Sequence, residues 1–566
     1  MTIPLIRLAL GLCLLFVLLS ATSSAIQENP PSLVPFNRQL PHDTASNQTF
    51  KDHAQLIGMN LSGMNLSGSS LNHSELQGSD LRGTDLSRSH LNQSSLFFAK
   101  LAGTNLSGVI MVEADLHGSD LSQADLRGAF MPACNLLHSN LTEANLTGAY
   151  LPTSYLMGSN LNGADLSGSV MDQSFLDNST LVRTKLNGAS LWAVKMSDTN
   201  LSKASFTRAL MDRSTFQNSQ LSSANLTAAS LVGANLINAT ISNADLSGID
   251  LSESRCSKAN FSGSRLIKSK LGFTNLTSTN LSMADLSGSY LVASSLKDSD
   301  LSNSVLEKAD LTGALLSGAN LTGANLNGAR LFGSDLSLAL LRGVDLSGAN
   351  LVAARLNWAD LGESVLMRCQ FSRAELFGAN LSHSDLSNSD LTRAYLPRAN
   401  LHGSNLRNTK LDNADLTGTN LSVSNLAEVM LTGTVLNDAD LTGADLTGAI
   451  FEGSFLKGTI MHKAKLRSAE LTGVKLTNAD LSFADLQNFK AINTFMENVN
   501  LTGADLRGAN LTTLGFQAVD FKGANLEGIK YDEATLMMLA NSDLKEAKIS
   551  PDLQKDLEKF RSGRGS

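Results

Sequence analysis

A leucine recurs at every fifth position through most of this 566-residue chain. The frame runs without insertion or deletion from Leu56 to Leu536, and 79 of its 97 centres are leucine. The residue two places before each centre is small, as at Ala319 and Ala324, and glycine often stands two places after it, as at Gly318. A fixed short period of this kind is typical of a solenoid rather than of several separate globular domains.

The five-residue period excludes both a straight helix and a straight strand. On an α-helix, a step of five residues rotates the side chain by about 140°, so the leucines form no continuous stripe. On a strand, an odd step sends alternate leucines to opposite faces. A chain that turns a corner after each short strand keeps every leucine inward, and glycine suits the corner because a positive φ costs it little. Four corners close a square coil, so residues 20 positions apart are predicted to stack.

This pattern resembles the pentapeptide-repeat family, whose motif is A-(D/N)-L-x-x, as in the stretch LSGANLTGANLNGARL at Leu316–Leu331. The resemblance implies an all-β solenoid, a right-handed quadrilateral β-helix of about 24 coils with a length on the order of 115 Å. It does not imply one function. The family includes proteins that bind a DNA topoisomerase by mimicking duplex DNA, and many with no known activity.

We predict four segments along the chain. Residues 1–25 are predicted to be a signal peptide, and residues 26–53, which contain four prolines, a linker or an N-terminal cap. Residues 54–538 are predicted to form the β-helix, and residues 539–566 a helical C-terminal cap and tail.

The N-terminal segment has the organisation of an export signal. Arg7 precedes an apolar run, Leu8–Leu19, which is too short to span a bilayer comfortably, and the small residues Ser23 and Ala25 suit cleavage after Ala25. An uncleaved N-terminal anchor is the alternative.

Two helices are predicted at the C-terminus. Asp532 is the predicted N-cap of the first, and Ser550 caps the second, with Pro551 at its first position. The pair is predicted to cover the open end of the solenoid. A dimerisation role is the alternative, because related DNA mimics pair through C-terminal segments.

The sequence contains no arrangement typical of an enzyme or a metal site. Cys134, Cys256 and Cys369 occupy inward positions several coils apart, roughly 29 Å for the first pair, whereas a disulfide needs Cα atoms within about 7 Å. The nine histidines do not converge in the predicted coil. The carboxylates belong to the outward Asp/Asn position of the repeat, which supplies no pair with different environments for acid and base roles. We therefore predict no catalytic activity, no cofactor and no metal.

The charge is mildly negative, at −8 for the whole chain. Residues 56–540 contain 44 acidic and 35 basic residues. Duplex DNA of similar length would carry near seventy negative charges, at one per about 1.7 Å. This difference argues against DNA mimicry, and the acidic balance argues against a nucleic-acid partner.

Outward apolar residues at the coil spacing form the candidate site. The residue before each leucine is normally polar, yet Ile110, Phe130, Tyr150 and Val170 break that rule 20 residues apart. Scattered apolar residues on a large surface are ordinary, but this register favours a contact surface. The candidate partner-binding residues are Ile110, Val112, Phe130, Pro132, Tyr150, Pro152, Tyr155, Val170, Phe175, Trp192 and Leu210. A smaller cluster is predicted near the C-terminus at Met430, Ile450, Val435 and Phe455.

These observations predict a non-catalytic, exported structural rod that binds a protein partner or a second copy of itself through the outward apolar patch. The predicted location is the periplasm, the thylakoid lumen or the extracellular space. Repeated Asn-Leu-Ser and Asn-Leu-Thr strings would be glycosylation sequons in a eukaryotic secretory route. Because so many sequons would be unfavourable there, they favour a bacterial protein. The alternatives are a DNA-mimicking topoisomerase-binding protein and, if the N-terminal segment is not cleaved, a membrane-anchored scaffold.

Overall fold

Each five-residue repeat forms one bridge and one turn. In the computed structural model, which describes residues 50–563, the residue before each centre pairs in parallel with the residue 20 positions later, as Gln55 does with Glu75. The Leu56 N–H donates to the Glu75 carbonyl at 2.7 Å, and the Glu75 N–H donates to the Ala54 carbonyl at 2.9 Å. The turn is closed by a 3.2 Å bond from the Met59 N–H to the Leu56 carbonyl. Hydrogen bonds between coils therefore run the length of the rod.

Every corner contains one residue in the left-handed conformation. From position 53 to position 528, every fifth residue has a positive φ, and 38 of these 96 residues are glycine. The predicted role of Gly318 is confirmed, with a φ of 70°. Most corners nevertheless use other residues, including Phe98 and Trp358 at φ of 55° and 60°. The coil thus imposes this conformation on side chains that rarely adopt it.

The leucines and the small residues before them form the core, as predicted. Leu321 and Ala319 have no exposed surface. Where serine or threonine replaces alanine, its hydroxyl usually donates to a backbone carbonyl; Thr84 Oγ1, for example, lies 3.0 Å from the Leu61 oxygen. Because such groups are hydrogen-bonded, small polar residues are tolerated inside the coil.

The coils build a right-handed quadrilateral β-helix. Most bridges involve single residues, and longer strands occur only towards the C-terminal end of the described chain. The strands are β1 Phe455–Lys457, β2 Glu470–Thr472, β3 Lys475–Thr477, β4 Lys490–Ile492, β5 Phe495–Glu497, β6 Gly515–Gln517, β7 Asn525–Leu526 and β8 Lys548–Ile549. Strands β1, β3, β5 and β6 form one parallel sheet, β2 pairs with β4, and β7 pairs with β8.

The rod has four sides, which we number by their bridge residues. Side 1 contains Ser70 and every twentieth residue after it. Side 2 begins at Gln55, side 3 at Asn60 and side 4 at Asn65. The chain passes from side 1 through a corner to side 2, and so on around the coil.

Two helices follow the last coil, α1 at Glu533–Ala540 and α2 at Pro551–Gly563. The predicted caps are confirmed: Asp532 accepts from the Thr535 N–H at 2.8 Å, and Ser550 Oγ accepts from the Leu553 N–H at 3.4 Å. The predicted boundary at residue 538 is wrong, because it falls inside α1. Leu536, assigned above as the last repeat centre, lies in that helix instead.

The helices pack against the end of the rod. Leu539 of α1 and Leu553 and Leu557 of α2 are buried and join the leucine core. Tyr531, the last centre of the coil, donates its hydroxyl proton to Asp556 Oδ2 at 2.8 Å. Strand β8 pairs with β7, so the chain adds one more parallel rung before α2 begins.

The predicted signal peptide and most of the proline-containing segment lie outside the described residues. Within residues 50–563, no helix is both long enough and apolar enough to cross a membrane.

Replacing Leu321 with alanine should lower the free energy of unfolding by about 2–5 kcal/mol, because the cavity would be fully enclosed in the core. Thr322→Ala is the matched control, since Thr322 is the next residue and is exposed. Urea and thermal melts measure both variants. Equal midpoints for the wild type and Leu321→Ala would contradict the inward assignment.

Asp532 should stabilise the C-terminal cap in a pH-dependent way. Hydrogen bonds from the N–H groups of Thr535 and Thr513 lower the pKa of its carboxyl below the ordinary 3.8. The stabilisation is therefore present at neutral pH and is lost as the pH falls through 3.8 and below.

Asp532→Ala is expected to destabilise the cap at neutral pH by about 1 kcal/mol, and Asp532→Asn by much less, because asparagine also caps helices. Amide hydrogen exchange at Thr535 and Thr513 reports the change. If the protection from exchange in the wild type exceeds that in Asp532→Ala by the same amount at neutral and at acidic pH, the carboxylate is not the source of the stabilisation.

Candidate functional site

The predicted apolar patch lies on sides 1 and 2 and on the corner between them. On side 1, Ile110, Phe130, Tyr150 and Val170 follow one another through parallel bridges, which confirms their predicted register. Phe130 and Tyr150 are 42% and 41% exposed, whereas Ile110 and Val170 are half-buried. Four consecutive coils therefore present apolar side chains to solvent on one side of the rod.

The aromatic rings in the patch are stacked. The ring centroids of Phe130 and Tyr150 lie 5.1 Å apart with planes 5° from parallel. On side 2, Tyr155 and Phe175 stack at 5.2 Å and 7°, and Lys195 Nζ lies 4.8 Å from the Phe175 centroid. The separation follows from the coil spacing of about 4.8 Å. Stacking holds the rings in place, so the surface is formed before any partner binds.

The corner between the two sides joins them into one surface. Val112, Pro132 and Pro152 occupy the same corner position in successive coils and are half-buried. We name the nine residues brought together in this way the N-terminal patch: Ile110, Val112, Phe130, Pro132, Tyr150, Pro152, Tyr155, Val170 and Phe175.

Trp192 and Leu210, the other two predicted residues, lie beyond a polar boundary. Asp172 occupies the corner between Pro152 and Trp192, and Ser190 occupies side 1 between Val170 and Leu210. Asp172 Oδ1 accepts from Ser190 Oγ at 2.7 Å and from the Trp192 N–H at 3.0 Å. The structure therefore separates these two residues from the continuous patch.

The next corner, between sides 2 and 3, also carries apolar and aromatic side chains. Phe97, His117, Leu137 and Met157 succeed one another there and are half-buried. The Phe97 and His117 rings stack at 4.9 Å and 13°. Side 2 carries Asp115 and Asn135 beside His117 and Leu137, so this corner adjoins the N-terminal patch only at Met157, next to Tyr155.

The smaller C-terminal cluster also has the predicted register. Met430 pairs with Ile450 on side 1, and Val435 pairs with Phe455 on side 2. Phe455 is well exposed. It pairs next with Lys475, so the cluster covers fewer coils than the N-terminal patch.

Sequence reasoning missed an aromatic groove on side 2 and its corner with side 3. The groove has a volume of about 540 Å³ and is lined by Asn357, Trp358, Glu375, Phe377 and Tyr395. Trp358 is 57% exposed. These residues sit at three different repeat positions, so they form no ladder of the kind that identified the N-terminal patch.

One sequence signal could have located this groove. A side chain at the left-handed corner position can lie over the corner of the next coil, and several large rings there have glycine 20 residues later, although Phe273 is followed by Ala293. Trp358 lies over Gly378, as Phe98 lies over Gly118. A large corner residue followed by glycine at the coil spacing therefore predicts a ring lying along the rod.

The aspartates with a shifted pKa within residues 50–563 do not suit the role of a general acid. Wherever an aspartate pKa departs from its ordinary value among the described residues, it is lowered, as where Arg82 hydrogen-bonds Asp80 at 2.6 Å. Arg127 lowers the pKa of Asp125 in the same way. Acid catalysis near neutral pH would need a carboxyl pKa that is raised.

The three cysteines among the described residues do not have the properties of nucleophiles. Cys134, Cys256 and Cys369 are free and buried, and burial raises the pKa of each thiol to about 12. They are therefore protonated at neutral pH, whereas the thiolate is the reactive form. Residues 50–563 also contain no group of three His, Cys, Asp or Glu side chains placed to hold a metal ion.

The chain was compared with models of protein families and with known proteins. The family model "Pentapeptide repeats (8 copies)" matches segments between residues 52 and 513. No curated protein sequence matches the chain significantly.

Several solved structures are similar to parts of the chain. HetL, a pentapeptide-repeat protein involved in heterocyst differentiation regulation in the cyanobacterium Nostoc, is 33% identical; the match covers 40% of this chain and 88% of HetL, with a TM-score of 0.16. QnrB1, a plasmid-mediated fluoroquinolone resistance protein, is 20% identical over 39% of this chain and 95% of its own, with a TM-score of 0.24. A pentapeptide-repeat protein of the Arabidopsis thaliana thylakoid lumen is 23% identical over 22% and 76%, with a TM-score of 0.09.

The family model spans most of the chain, and the structure has the five-residue coil that the family motif requires. The chain belongs to the pentapeptide-repeat family.

Proposed function

We propose that this protein is a non-catalytic, exported rod that binds another protein through the N-terminal patch. The observation that carries the proposal is the unbroken run of outward apolar side chains, two stacked aromatic pairs among them, over consecutive coils. Continuous apolar patches on soluble proteins usually mark contact surfaces. Aromatic residues are also enriched among the residues that contribute most to protein–protein binding.

The polar sides of the rod support this interpretation. On side 3, Leu340 stands alone between Asn320 and Asp360. On side 4, Val365 stands alone between Asp345 and Asp385. Successive apolar rungs occur on sides 1 and 2, as expected if those sides meet a partner.

A rigid surface favours binding for a further reason. The patch residues sit on a hydrogen-bonded coil, and their rings are already stacked, so little side-chain freedom is lost on association. We therefore favour a folded partner with a complementary apolar surface. Self-association through the same patch is the other outcome that an experiment would detect.

Topoisomerase binding by DNA mimicry is the less favoured alternative. The N-terminal patch has apolar or aromatic side chains instead of acidic ones at bridge positions of sides 1 and 2 over several coils. The repeat region also carries 44 acidic against 35 basic residues, far from the charge density of a duplex. The likeness to QnrB1 extends to the fold alone.

Replacing Phe130 and Tyr150 together with serine should leave the rod folded, because both side chains point outward while the leucines hold the coil. It should weaken partner capture or self-association at least about 30-fold, since truncating one dominant interface residue costs about 2 kcal/mol or more. Pull-down from the native compartment and sedimentation velocity measure the two forms of association, and a thermal melt checks folding.

Tyr290→Ser is the matched control for this double variant. Tyr290 has the same repeat position on side 1 and is 56% exposed, but it stands between Lys270 and Asp310. It should behave as the wild type. If the double variant captures the same proteins and sediments like the wild type, the proposed surface is wrong.

Export is a second part of the proposal and has its own test. Subcellular fractionation followed by N-terminal sequencing should find the exported chain beginning at Ile26. Replacing Leu14 and Leu15 with aspartate interrupts the apolar run and should keep the protein inside the producing cell. A wild-type chain that keeps its N-terminal segment in the membrane fraction would favour the anchored scaffold instead.

A further inference from the structure

We propose that the aromatic groove lined by Trp358, Phe377 and Tyr395 binds a quaternary ammonium group, such as the trimethylammonium of a choline compound. This site is separate from the N-terminal patch and independent of the function proposed for it. The inference rests on the arrangement of the three rings, on the charge beside them and on the backbone that holds them.

The rings form two walls of a corner. The Trp358 and Phe377 centroids lie 5.3 Å apart, and their planes meet at 83°. Tyr395 lies 6.3 Å from Phe377 and within 14° of parallel to it. A single flat platform suits a planar or disc-shaped ligand. Perpendicular walls suit a compact, roughly spherical group that touches more than one ring face, and a methylated ammonium has that shape.

The coil fixes the position of the Trp358 ring, which forms one wall of the groove. The Trp358 ring lies directly over Gly378, where an added Cβ would be 2.6 Å from two ring atoms. Phe377 is the neighbour of Gly378 in the same turn, so one corner supports Trp358 and supplies the second wall. The Phe377 N–H donates to Asn357 Oδ1 at 3.0 Å, which ties this corner to the preceding coil.

One carboxylate, that of Glu375, lies next to the rings. Glu375 pairs with Tyr395 on side 2 and lines the groove. Its Oε2 accepts a hydrogen bond from Asn357 Nδ2 at 3.0 Å, and within the described chain it has no Lys, Arg or His partner at ion-pair distance. A carboxylate without a counter-ion beside exposed ring faces attracts a cation both directly and through the ring quadrupoles.

The nearby arginines do not fill the groove. Arg355 forms an ion pair with Asp335 of the preceding coil at 3.1 Å. The Arg398 side chain lies against the corner of the following coil, with its Cγ 3.8 Å from the position of a Cβ on Gly418. Arg373 and Arg393 occupy the opposite corner of side 2, where they would meet an anionic group on the same ligand. A zwitterionic choline compound therefore matches the charges on both edges.

Tryptophan fluorescence gives a direct test, because the chain contains only two tryptophans. In a Trp192→Phe background, Trp358 is the single emitter. Choline chloride, titrated against potassium chloride at equal ionic strength, should produce a saturable change in Trp358 emission. Its neutral isostere 3,3-dimethylbutanol should bind at least about 10-fold more weakly, because it lacks the charge that the rings and Glu375 attract.

Two further variants in this background keep the probe in place. Glu375→Gln preserves the shape of the side chain and should weaken choline binding several-fold, without changing the affinity for 3,3-dimethylbutanol. Tyr395→Ala should weaken both ligands. Tyr290→Ala, on side 1 and about three to five coils from the groove, is the control and should change neither.

Titration with phosphocholine and co-sedimentation with phosphatidylcholine vesicles distinguish a free metabolite from a lipid headgroup as the source of the quaternary ammonium group. Saturable binding of phosphocholine alone would assign a free metabolite, and co-sedimentation with vesicles that Glu375→Gln abolishes would assign a lipid headgroup. The proposal fails if choline produces no saturable change or if the neutral isostere binds equally well. It also fails if simple saccharides change the emission of Trp358 while choline does not.

Discussion

A left-handed residue at every fifth position is the constraint on which this rod depends. It bends the chain by one corner and brings the next leucine back to the axis, and it recurs at all 96 corners from position 53 to position 528. For a residue other than glycine this conformation costs roughly 1–2 kcal/mol. Burying one leucine contributes about 1.5–3 kcal/mol, so each repeat can offset its own corner. Non-glycine corners are therefore common, and the corner position is free to carry large side chains such as Trp358.

This arrangement separates the fold from the surface. The inward leucine, the small residue beside it and the hydrogen bonds between coils determine the shape, while three of every five residues face solvent or lie at a corner. An outward substitution changes what the rod presents without changing how it coils. Side chains at the same repeat position also align about 4.8 Å apart, close to the separation of stacked rings. The stack of Phe130 on Tyr150 follows directly from this match.

The five-residue period predicted the inward residues and the stacking register. It did not predict where the last coil ends or which way a corner side chain points. The inward leucines and the register of Ile110 to Val170 follow from arithmetic on a frame without insertions. Leu536 was misassigned because it continues the spacing, although Asp532 caps a helix four residues earlier. The groove was missed because Trp358, Phe377 and Tyr395 occupy different repeat positions, and the direction of a corner side chain along the axis is not part of the frame. That direction depends on what the next coil offers, which at Trp358 is the bare backbone of Gly378.

The polar sides explain how such a rod can carry apolar surface at all. A long solenoid with apolar rungs on every side would be prone to associate with itself without a defined orientation. On side 3, Asn380 Nδ2 donates to Asp360 Oδ1 at 2.7 Å and Asn400 Nδ2 to Asn380 Oδ1 at 3.1 Å, so polar groups bond along the rod. Ile460 on that side is isolated between Asp440 and Asp480. Apolar side chains are gathered in successive coils on sides 1 and 2, so contact through them has one orientation relative to the axis. The aromatic groove also opens on side 2, which makes that side the common boundary of both proposed sites.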